Sequence, residues 1–260
     1  MDKVLRTRAV TALFFVIIVV AALLSGRLGA SIFMSLVLMM TTYELVKMSS
    51  KKDFNGRLYG IINLFIFFIS LYISVGGIAW IFASIAVITH LVLIFFVLKA
   101  RTKLLTHISK NLWLVYPLLS FLAYAFILQN NPNAHLLLLI LLMLIWVCDS
   151  AAYLVGRKIG KRKLFERVSP NKTIEGALGS LVLTPLFALL IPFIFSEFAS
   201  SIGLIAWVVI GLIVAVFGTL GDLYQSQIKR IFGVKDSGRI MPGHGGIWDR
   251  FDSFIYLLPF

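Results

Sequence analysis

The chain has 260 residues, of which 60% are hydrophobic and only 13% are charged. A soluble domain carries roughly 45–50% apolar and about 25% charged residues, so this composition excludes a soluble fold and indicates a protein whose solvent is lipid. The net charge of +13 comes from short basic clusters between apolar runs, a pattern that favours membrane orientation and anionic ligands and gives no sign of nucleic-acid binding.

Apolar runs that could cross a bilayer recur along the chain. A span needs about 20 mostly apolar residues. Basic residues precede the first run, as in a signal peptide, but Arg27 and the further apolar runs favour a retained span. Eight candidate spans centre near Ile17, Leu38, Phe67, Val87, Leu119, Leu142, Leu186 and Ile210. A ninth run begins at Phe254 and reaches Phe260, which is too short to cross.

Basic residues mark one side of the predicted bundle. Of the 24 Lys and Arg residues, all except Arg27 fall in the N-terminus or in the loops after spans two, four, six and eight. This bias predicts that the N-terminus and those loops are cytoplasmic and that the chain lies in the inner (cytoplasmic) membrane. The two longest polar segments, 156–174 and 226–252, would then face the side where nucleoside triphosphates occur.

Upstream of the last span, two segments carry isolated polar residues. Asp149 lies inside a predicted span, where an acid is costly, so it is either functional or hydrogen-bonded to neighbouring spans. Ser169 followed by Pro170 predicts the start of a helix, with Ser as the cap. Lys172 and Glu175, at i and i+3, would then pair on the surface of that helix.

The last polar segment gathers carboxylates, basic residues and glycines. Asp222, Ser226 and Lys229 follow an i, i+4, i+7 spacing and so share one helix face. Asp249 and Asp252 would also share a face if their segment is helical. Carboxylates hold Mg²⁺, basic side chains neutralise phosphate oxygens, and glycines let backbone N–H groups approach an anion. The segment predicts a metal–polyphosphate site, with a solvated basic loop as the alternative.

Over about residues 146–252 these motifs resemble those of the phosphatidate cytidylyltransferase family. Two positions depart from its pattern: Gln225 stands where the family usually has Glu, and the chain stops at Phe260 without a complete last span. The resembling segments are Asp149-Ser150, Ser169-Pro170-x-Lys172-Thr173, Ser226-x-x-Lys229-Arg230, Lys235-Asp236-Ser237 and His244-Gly245-Gly246-x-x-Asp249-Arg250-x-Asp252.

The resemblance implies an enzyme that transfers CMP from CTP to phosphatidic acid and releases pyrophosphate, with Mg²⁺ or another divalent cation as cofactor. Asp222 and Asp249 are expected to bind the metal and, with Lys229 and His244, to form the catalytic set. The residues expected to bind substrates are Asp149, Lys172, Ser226, Arg230, Lys235, Asp236, Gly245, Gly246, Arg250 and Asp252. Membrane lipids are expected partners, nucleic acid is not, and a homodimer is left open.

We therefore predict an all-α integral membrane protein, a polytopic bundle of about eight to nine transmembrane helices with cytoplasmic catalytic loops. Residues 1–260 form a single membrane domain, with N-terminal membrane helices in 1–110 and the catalytic region in 111–260. Two alternatives are a transporter of a lipid or phosphorylated solute and another CTP-dependent lipid enzyme, such as a polyprenol kinase. A transporter would place its site near the midplane, whereas this motif clusters on one side.

Overall fold

The computed structural model describes residues 3–49, 61–62, 65–67, 77–99, 103–195, 199, 202–241, 243 and 245–260. Within these residues the chain is almost entirely α-helical, and a single two-stranded sheet interrupts the helices. The predicted helical class is therefore confirmed, with a small hairpin added to it.

The helices and strands follow one another in chain order. The first half contains α1 (Lys3–Leu24), α2 (Gly26–Ser49), α3 (Gly77–Lys99) and α4 (Lys103–Asn130). The second half contains α5 (Ala134–Ile159), β1 (Lys163–Phe165), β2 (Ser169–Thr173), α6 (Ile174–Ala188), α7 (Ile191–Ile194), α8 (Leu204–Ile231) and α9 (Trp248–Leu257).

Most of the predicted spans correspond to helices of the described residues. Those long and apolar enough to cross a membrane cover Gly26–Met48, Ala134–Ile159, Ile174–Ile194 and Leu204–Ile231. Shorter apolar helices cover Ala9–Leu24, Ala83–Phe95 and Val115–Asn130. The predicted span near Phe67 lies largely outside the described residues. The chain is thus a multi-pass helical membrane protein.

Glycines let the helices around the site approach one another closely. A Cβ atom added at Gly179 of α6 would lie 2.6 Å from the Val155 side chain of α5. One added at Gly211 of α8 would lie 2.6 Å from the Cα atom of Pro185 in α6. Small residues at such contacts let membrane helices gain packing energy where lipid supplies no hydrophobic driving force. Helices α5, α6 and α8 therefore form one tightly packed group.

The segment expected to begin a helix at Ser169 forms a strand instead. Strands β1 and β2 make an antiparallel hairpin, and α6 begins only at Ile174. Thr173 caps the helix, because its hydroxyl oxygen accepts a hydrogen bond from the Gly176 N–H at 3.1 Å. The predicted helix start is therefore wrong: the cap is the threonine that ends the strand.

The predicted helix-surface pair of Lys172 and Glu175 is also wrong. Lys172 belongs to β2, whereas Glu175 lies in the first turn of α6. Glu175 Oε1 accepts from Arg162 Nε at 3.0 Å, and its Oε2 accepts from the backbone N–H groups of Lys161 and Arg162 at 3.0 and 3.1 Å. Glu175 thus fastens the hairpin to the helix and leaves Lys172 for another partner.

Helix α9 is a short buried helix, and it begins before the predicted ninth run. Its ten residues start at Trp248 rather than at Phe254. At about 1.5 Å per residue it is roughly 15 Å long, about half the thickness of the hydrocarbon core. Trp248, Phe254 and Tyr256 are at most 1% exposed, and the Tyr256 hydroxyl donates to the His90 carbonyl of α3. The helix therefore carries its two aspartates into the bundle.

Candidate functional site

An ion pair between β2 and α8 lies at the centre of the candidate site. Lys172 Nζ lies 2.7 Å from Asp222 Oδ2, and the two side chains are 26% and 31% exposed. The same Nζ lies 3.5 Å from the Thr219 carbonyl oxygen. Ser226 Oγ donates to Asp222 Oδ1 at 3.2 Å, which confirms that Asp222 and Ser226 share one helix face.

A cavity of about 440 Å³ surrounds this ion pair. The hairpin and helices α5, α6 and α8 form its walls, and its polar lining includes Asp149, Arg157 and Asn171. Asp149 comes from within a span, as the sequence predicted. The fold therefore brings Asp149, Lys172 and Asp222 together from three separate elements.

Asp252 adds a third acid, and we call Asp149, Asp222 and Asp252 the acidic cluster. The pKa of Asp252 lies well above its usual range, because the group is buried and because the Asp222 and Asp149 carboxylates repel its charge. Burial alone would lower the pKa of Lys172, but attraction by the three acids outweighs burial and raises it. Lys172 neutralises Asp222, and the raised pKa of Asp252 favours the protonated form of this acid when no cation is bound.

Three carboxyl groups gathered around one lysine suit a divalent cation, which can replace the proton of Asp252. Mg²⁺ prefers carboxylate oxygens and usually keeps several waters while binding substrate phosphates. Asp222 is partly exposed to the cavity and has two acids close to it, so the residues present fit such an ion. In the described part of the chain, no three His, Cys, Asp or Glu side chains are already spaced to hold a metal ion.

Asp249 organises the segment that precedes α9. Its Oδ1 accepts from Lys229 Nζ at 2.8 Å, and its Oδ2 accepts from the Ser237 and Gly246 N–H groups at 2.8 and 2.9 Å. The side chains of Asp249 and Lys229 are only 5% and 12% exposed. The structure thus brings these two predicted residues together as an ion pair, and metal binding by Asp249 stays a prediction.

The glycine pair of the motif lets this segment close over Asp249. Gly245 has φ of +87°, and a Cβ atom there would lie 2.7 Å from Asp249 Oδ2. A Cβ atom at Gly246 would lie 2.2 Å from Ser237 Oγ. Neither position has room for a side chain. His244 lies outside the described residues, so its catalytic role stays a prediction.

Other predicted substrate residues lie on the outer surface of the same region. Arg230 ends α8, and its Nη1 lies 3.4 Å from the Val234 carbonyl oxygen. Contact of these side chains with phosphate stays a prediction. The exposed residues of this group are Arg230, Lys235, Asp236 and Arg250.

Gln225 lies behind the cavity, where it joins two helices. It is 1% exposed, and its Nε2 donates to the Trp248 carbonyl oxygen at 2.6 Å. Its Oε1 has no hydrogen-bond partner among the described residues. An ionised carboxylate could not donate to a carbonyl group, so the amide suits this position. Gln225 ties α8 to the start of α9.

Motif analysis missed one acid of this region, Glu44 of α2. It is 1% exposed, and its Oε1 accepts from the Ile247 N–H at 2.8 Å. Its Oε2 accepts from the Trp248 N–H at 3.0 Å and from the Ser237 hydroxyl at 2.7 Å. The signal that could have found it is the one that singled out Asp149, an acid inside a predicted span.

An apolar groove of about 810 Å³ adjoins the charged cavity. The groove is lined mainly by α5 and α6, with Leu139, Met143, Trp146, Leu183 and Leu186 among its residues. The charged cavity uses the C-terminal end of α5 and the N-terminal end of α6. Helices α5 and α6 therefore line a charged cavity at one end and an apolar groove along the adjoining stretch.

Comparison with known proteins gives a consistent result. A model of the cytidylyltransferase family matches residues 6–260. The phosphatidate cytidylyltransferase of Staphylococcus saprophyticus is 35% identical over 260 residues, covering 98% of this chain and 96% of the relative. Those of Staphylococcus aureus and Staphylococcus haemolyticus are 33% and 35% identical, with the same coverage.

Proposed function

Because this chain belongs to the cytidylyltransferase family, we propose that it transfers CMP from CTP to phosphatidate and forms CDP-diacylglycerol. One structural observation carries the proposal beyond the family. A charged cavity and an apolar groove lie side by side between the same helices, α5 and α6. A substrate with an anionic headgroup and long acyl chains needs this combination.

The chemistry requires positioning and charge neutralisation more than proton transfer. A phosphate oxygen of phosphatidate attacks the α-phosphorus of CTP, a new P–O bond forms, and the bond to the β-phosphate breaks with release of pyrophosphate. The attacking oxygen is already anionic near neutral pH. The protein must therefore bring two polyanions together in line and offset their repulsion.

Lys172 is the cation best placed for this task. It lies at the cavity with its ammonium group on Asp222, and its raised pKa keeps it charged. Substrate phosphates entering the cavity would share this ammonium group with Asp222. Lys229, held by Asp249, supplies a second positive charge near Asp252. At the cytoplasmic surface, phosphate oxygens would accept hydrogen bonds from Arg230, Lys235 and Arg250.

A divalent cation would be held by Asp222, with Asp149 and Asp252 near it and Asp249 as the other predicted ligand. When bound, such an ion would offset the negative charge that gathers on the α-phosphoryl group and on pyrophosphate. The ion would favour the ionised form of Asp252, whose pKa its neighbours raise, so a proton would leave as the ion binds. The Lys172 side chain then remains free to contact phosphate.

The lipid substrate would lie with its acyl chains in the apolar groove and its phosphate in the cavity. The groove is lined almost wholly by apolar side chains, mainly from two membrane helices, so it can accept acyl chains from the bilayer. The bias of basic residues favours a cytoplasmic cavity in the inner membrane, where CTP is available. The proposal also includes eight or nine membrane spans for this chain and its assembly as a homodimer.

The direct test is formation of the lipid product. Purified protein in lipid nanodiscs would receive phosphatidate, MgCl₂ and CTP labelled either at the α-phosphate or at the γ-phosphate. We expect the α-label in CDP-diacylglycerol, the γ-label in pyrophosphate, and no product with EDTA. Transfer of the γ-label to lipid would indicate a kinase instead. Diacylglycerol in place of phosphatidate is the matched control and should give no product.

A further inference from the structure

Glu44 connects the first half of the chain to the segment that carries the motif. The residue lies in α2, within the span Gly26–Met48, and its side chain is sealed from solvent. Both of its oxygens accept hydrogen bonds, and all of the donors lie between Ser237 and Trp248.

Two of the three donors are backbone groups that a helix start leaves unpaired. Helix α9 begins at Trp248, and the first N–H groups of a helix have no partner inside it. Glu44 accepts from the N–H groups of Ile247 and Trp248, and its negative charge lies at the positive end of the helix dipole. Among the described residues, no ion pair neutralises Glu44. Its charge is therefore compensated by these donors.

Two glycines of the motif region pack directly on this carboxyl group. A Cβ atom at Gly238 would lie 2.6 Å from Glu44 Oε1, and one at Gly246 would lie 2.3 Å from Glu44 Oε2. Gly246 also donates its N–H to Asp249. The segment before α9 thus closes on Glu44 from one side and on Asp249 from the other.

A single hydroxyl group joins the two acids. Ser237 Oγ lies 2.7 Å from Glu44 Oε2 and 3.0 Å from Asp249 Oδ2, and a hydroxyl has only one hydrogen to donate. Asp249 in turn holds Lys229. A continuous chain of contacts therefore runs from Glu44 through Ser237 and Asp249 to Lys229.

We infer that Glu44 is a positioning residue of the active site, which sets the orientation of Asp249 and Lys229 through Ser237 and the start of α9. The effect of Glu44 on rate rests on the proposed function, whereas its effect on structure does not. Glu44 itself touches no substrate. It acts by fixing the backbone that carries the motif, including the helix on which Asp252 enters the acidic cluster.

The substitution Glu44→Gln disrupts these hydrogen bonds with almost no change in the shape of the side chain. The amide has one oxygen, so it can accept from only one of the Ile247 and Trp248 N–H groups. The second N–H group then faces the NH₂ group of the new side chain. Thr41→Val is the matched control. Thr41 lies one turn earlier in α2, is fully buried, and has a hydroxyl with no hydrogen-bond partner among the described residues.

The first readout is independent of activity. Hydrogen–deuterium exchange in nanodiscs should show faster exchange at Ile247 and Trp248 in Glu44→Gln, and wild-type exchange in Thr41→Val. Unchanged protection of these two amides in Glu44→Gln would overturn the inference. If the amides open and wild-type protein forms no CDP-diacylglycerol, the positioning role stands and the proposed function fails.

The second readout separates positioning from folding. Per folded molecule, Glu44→Gln should lower kcat about tenfold or more and leave the KM for phosphatidate near wild type, because the apolar groove is not touched. A double-mutant cycle with Ser237→Ala should be strongly non-additive, since both changes break the same chain of contacts. Wild-type kcat per folded molecule, or additive effects of the two changes, would mean that Glu44 only packs.

Discussion

Lys172 Nζ lies 2.7 Å from Asp222 Oδ2, so a strand of the hairpin supplies the cation for an acid in the middle of a helix more than forty residues later. Glu175 and Thr173 fix the hairpin to α6. Of the lysines in the two strands, Lys172 lines the cavity. The pair therefore places a flexible ammonium group at a defined point of the active site.

Lys172→Met should lower kcat/KM about a hundredfold, the scale typical for loss of one preorganised charge contact to a transition state. The change keeps most of the length of the side chain and removes its charge and its hydrogen-bond donors. Lys158→Met, an exposed lysine at the end of α5, is the control and should stay within about twofold of wild type. Equal losses in both variants would show that surface charge, rather than this ammonium group, matters.

Asp222→Asn should abolish most activity with only a small loss of stability. Loss of a ligand that offsets phosphoryl charge costs several kcal/mol, or about a thousandfold in rate. The same change leaves Lys172 without its counter-charge, but this side chain is partly exposed to the cavity and can be hydrated, so we expect a loss of about 1 kcal/mol or less in unfolding free energy. The rate is measured with Mg²⁺, and thermal unfolding is measured in detergent with EDTA. A loss as large as that expected for the buried pair of Lys229 and Asp249 would contradict this account.

Asp249→Asn should lower both activity and stability, in contrast to Asp222→Asn. Its carboxylate accepts from Lys229, Ser237 and Gly246, and the change leaves a largely buried lysine without its counter-charge. We expect a loss of roughly 3 kcal/mol in unfolding free energy. Glu166→Gln, at the exposed turn of the hairpin, is the control for an acid-to-amide change. Identical melting of the two aspartate variants would refute the division of roles.

Gln225→Glu should reduce stability and activity rather than improve metal binding. The Gln225 amide donates to the Trp248 carbonyl oxygen at 2.6 Å, whereas an ionised carboxylate would repel it. The matched control is Gln227→Glu, which adds the same charge on a less buried face of α8. Thermal unfolding and Mg²⁺ titration of the rate would decide. If Gln225→Glu reached its half-maximal rate at a lower Mg²⁺ concentration than wild type, this side chain would lie at the metal.

Membrane orientation can be tested with single cysteines in a Cys148→Ser background. Cysteines replacing Lys163 and Arg239 should react with an impermeant thiol reagent only after the cells are opened. A cysteine replacing Asn130, the exposed last residue of α4, should react in intact cells. Gly238 is unsuitable, because a Cβ atom there would meet Glu44. Labelling of Lys163→Cys in intact cells would reverse the predicted topology.

Local periodicity predicted the parts of the site that belong to one helix. Asp222 and Ser226 were expected on one face of α8, and their 3.2 Å hydrogen bond confirms it. Asp249 and Asp252 were expected to share a face if helical, and α9 contains both. These relations depend only on the repeat of an α-helix, which sequence spacing fixes directly.

Contacts between distant elements could not be predicted in the same way. Lys172 was expected to bind substrate on the family resemblance, and the alternative, a helix-surface pair with Glu175, followed from Ser169-Pro170 as a common helix start. In the structure Thr173 caps the helix, and Lys172 contacts α8 from the preceding strand. Glu44 could have been noticed as an acid inside a predicted span, but nothing near it in the sequence belongs to the motif. Its donors become neighbours only when α9 folds back against α2, a tertiary event that leaves no local signal.

The distance along the chain between Glu44 and its donors also constrains biosynthesis. Ile247 follows Glu44 by 203 residues, and a ribosome adding about 5–20 residues per second needs roughly 10–40 s to reach it. During that interval α2 resides at the membrane with an acid for which none of the final donors yet exists. The insertion machinery, water or a chaperone must shelter that side chain until α9 emerges, so the active site is completed only when both ends of the polypeptide meet.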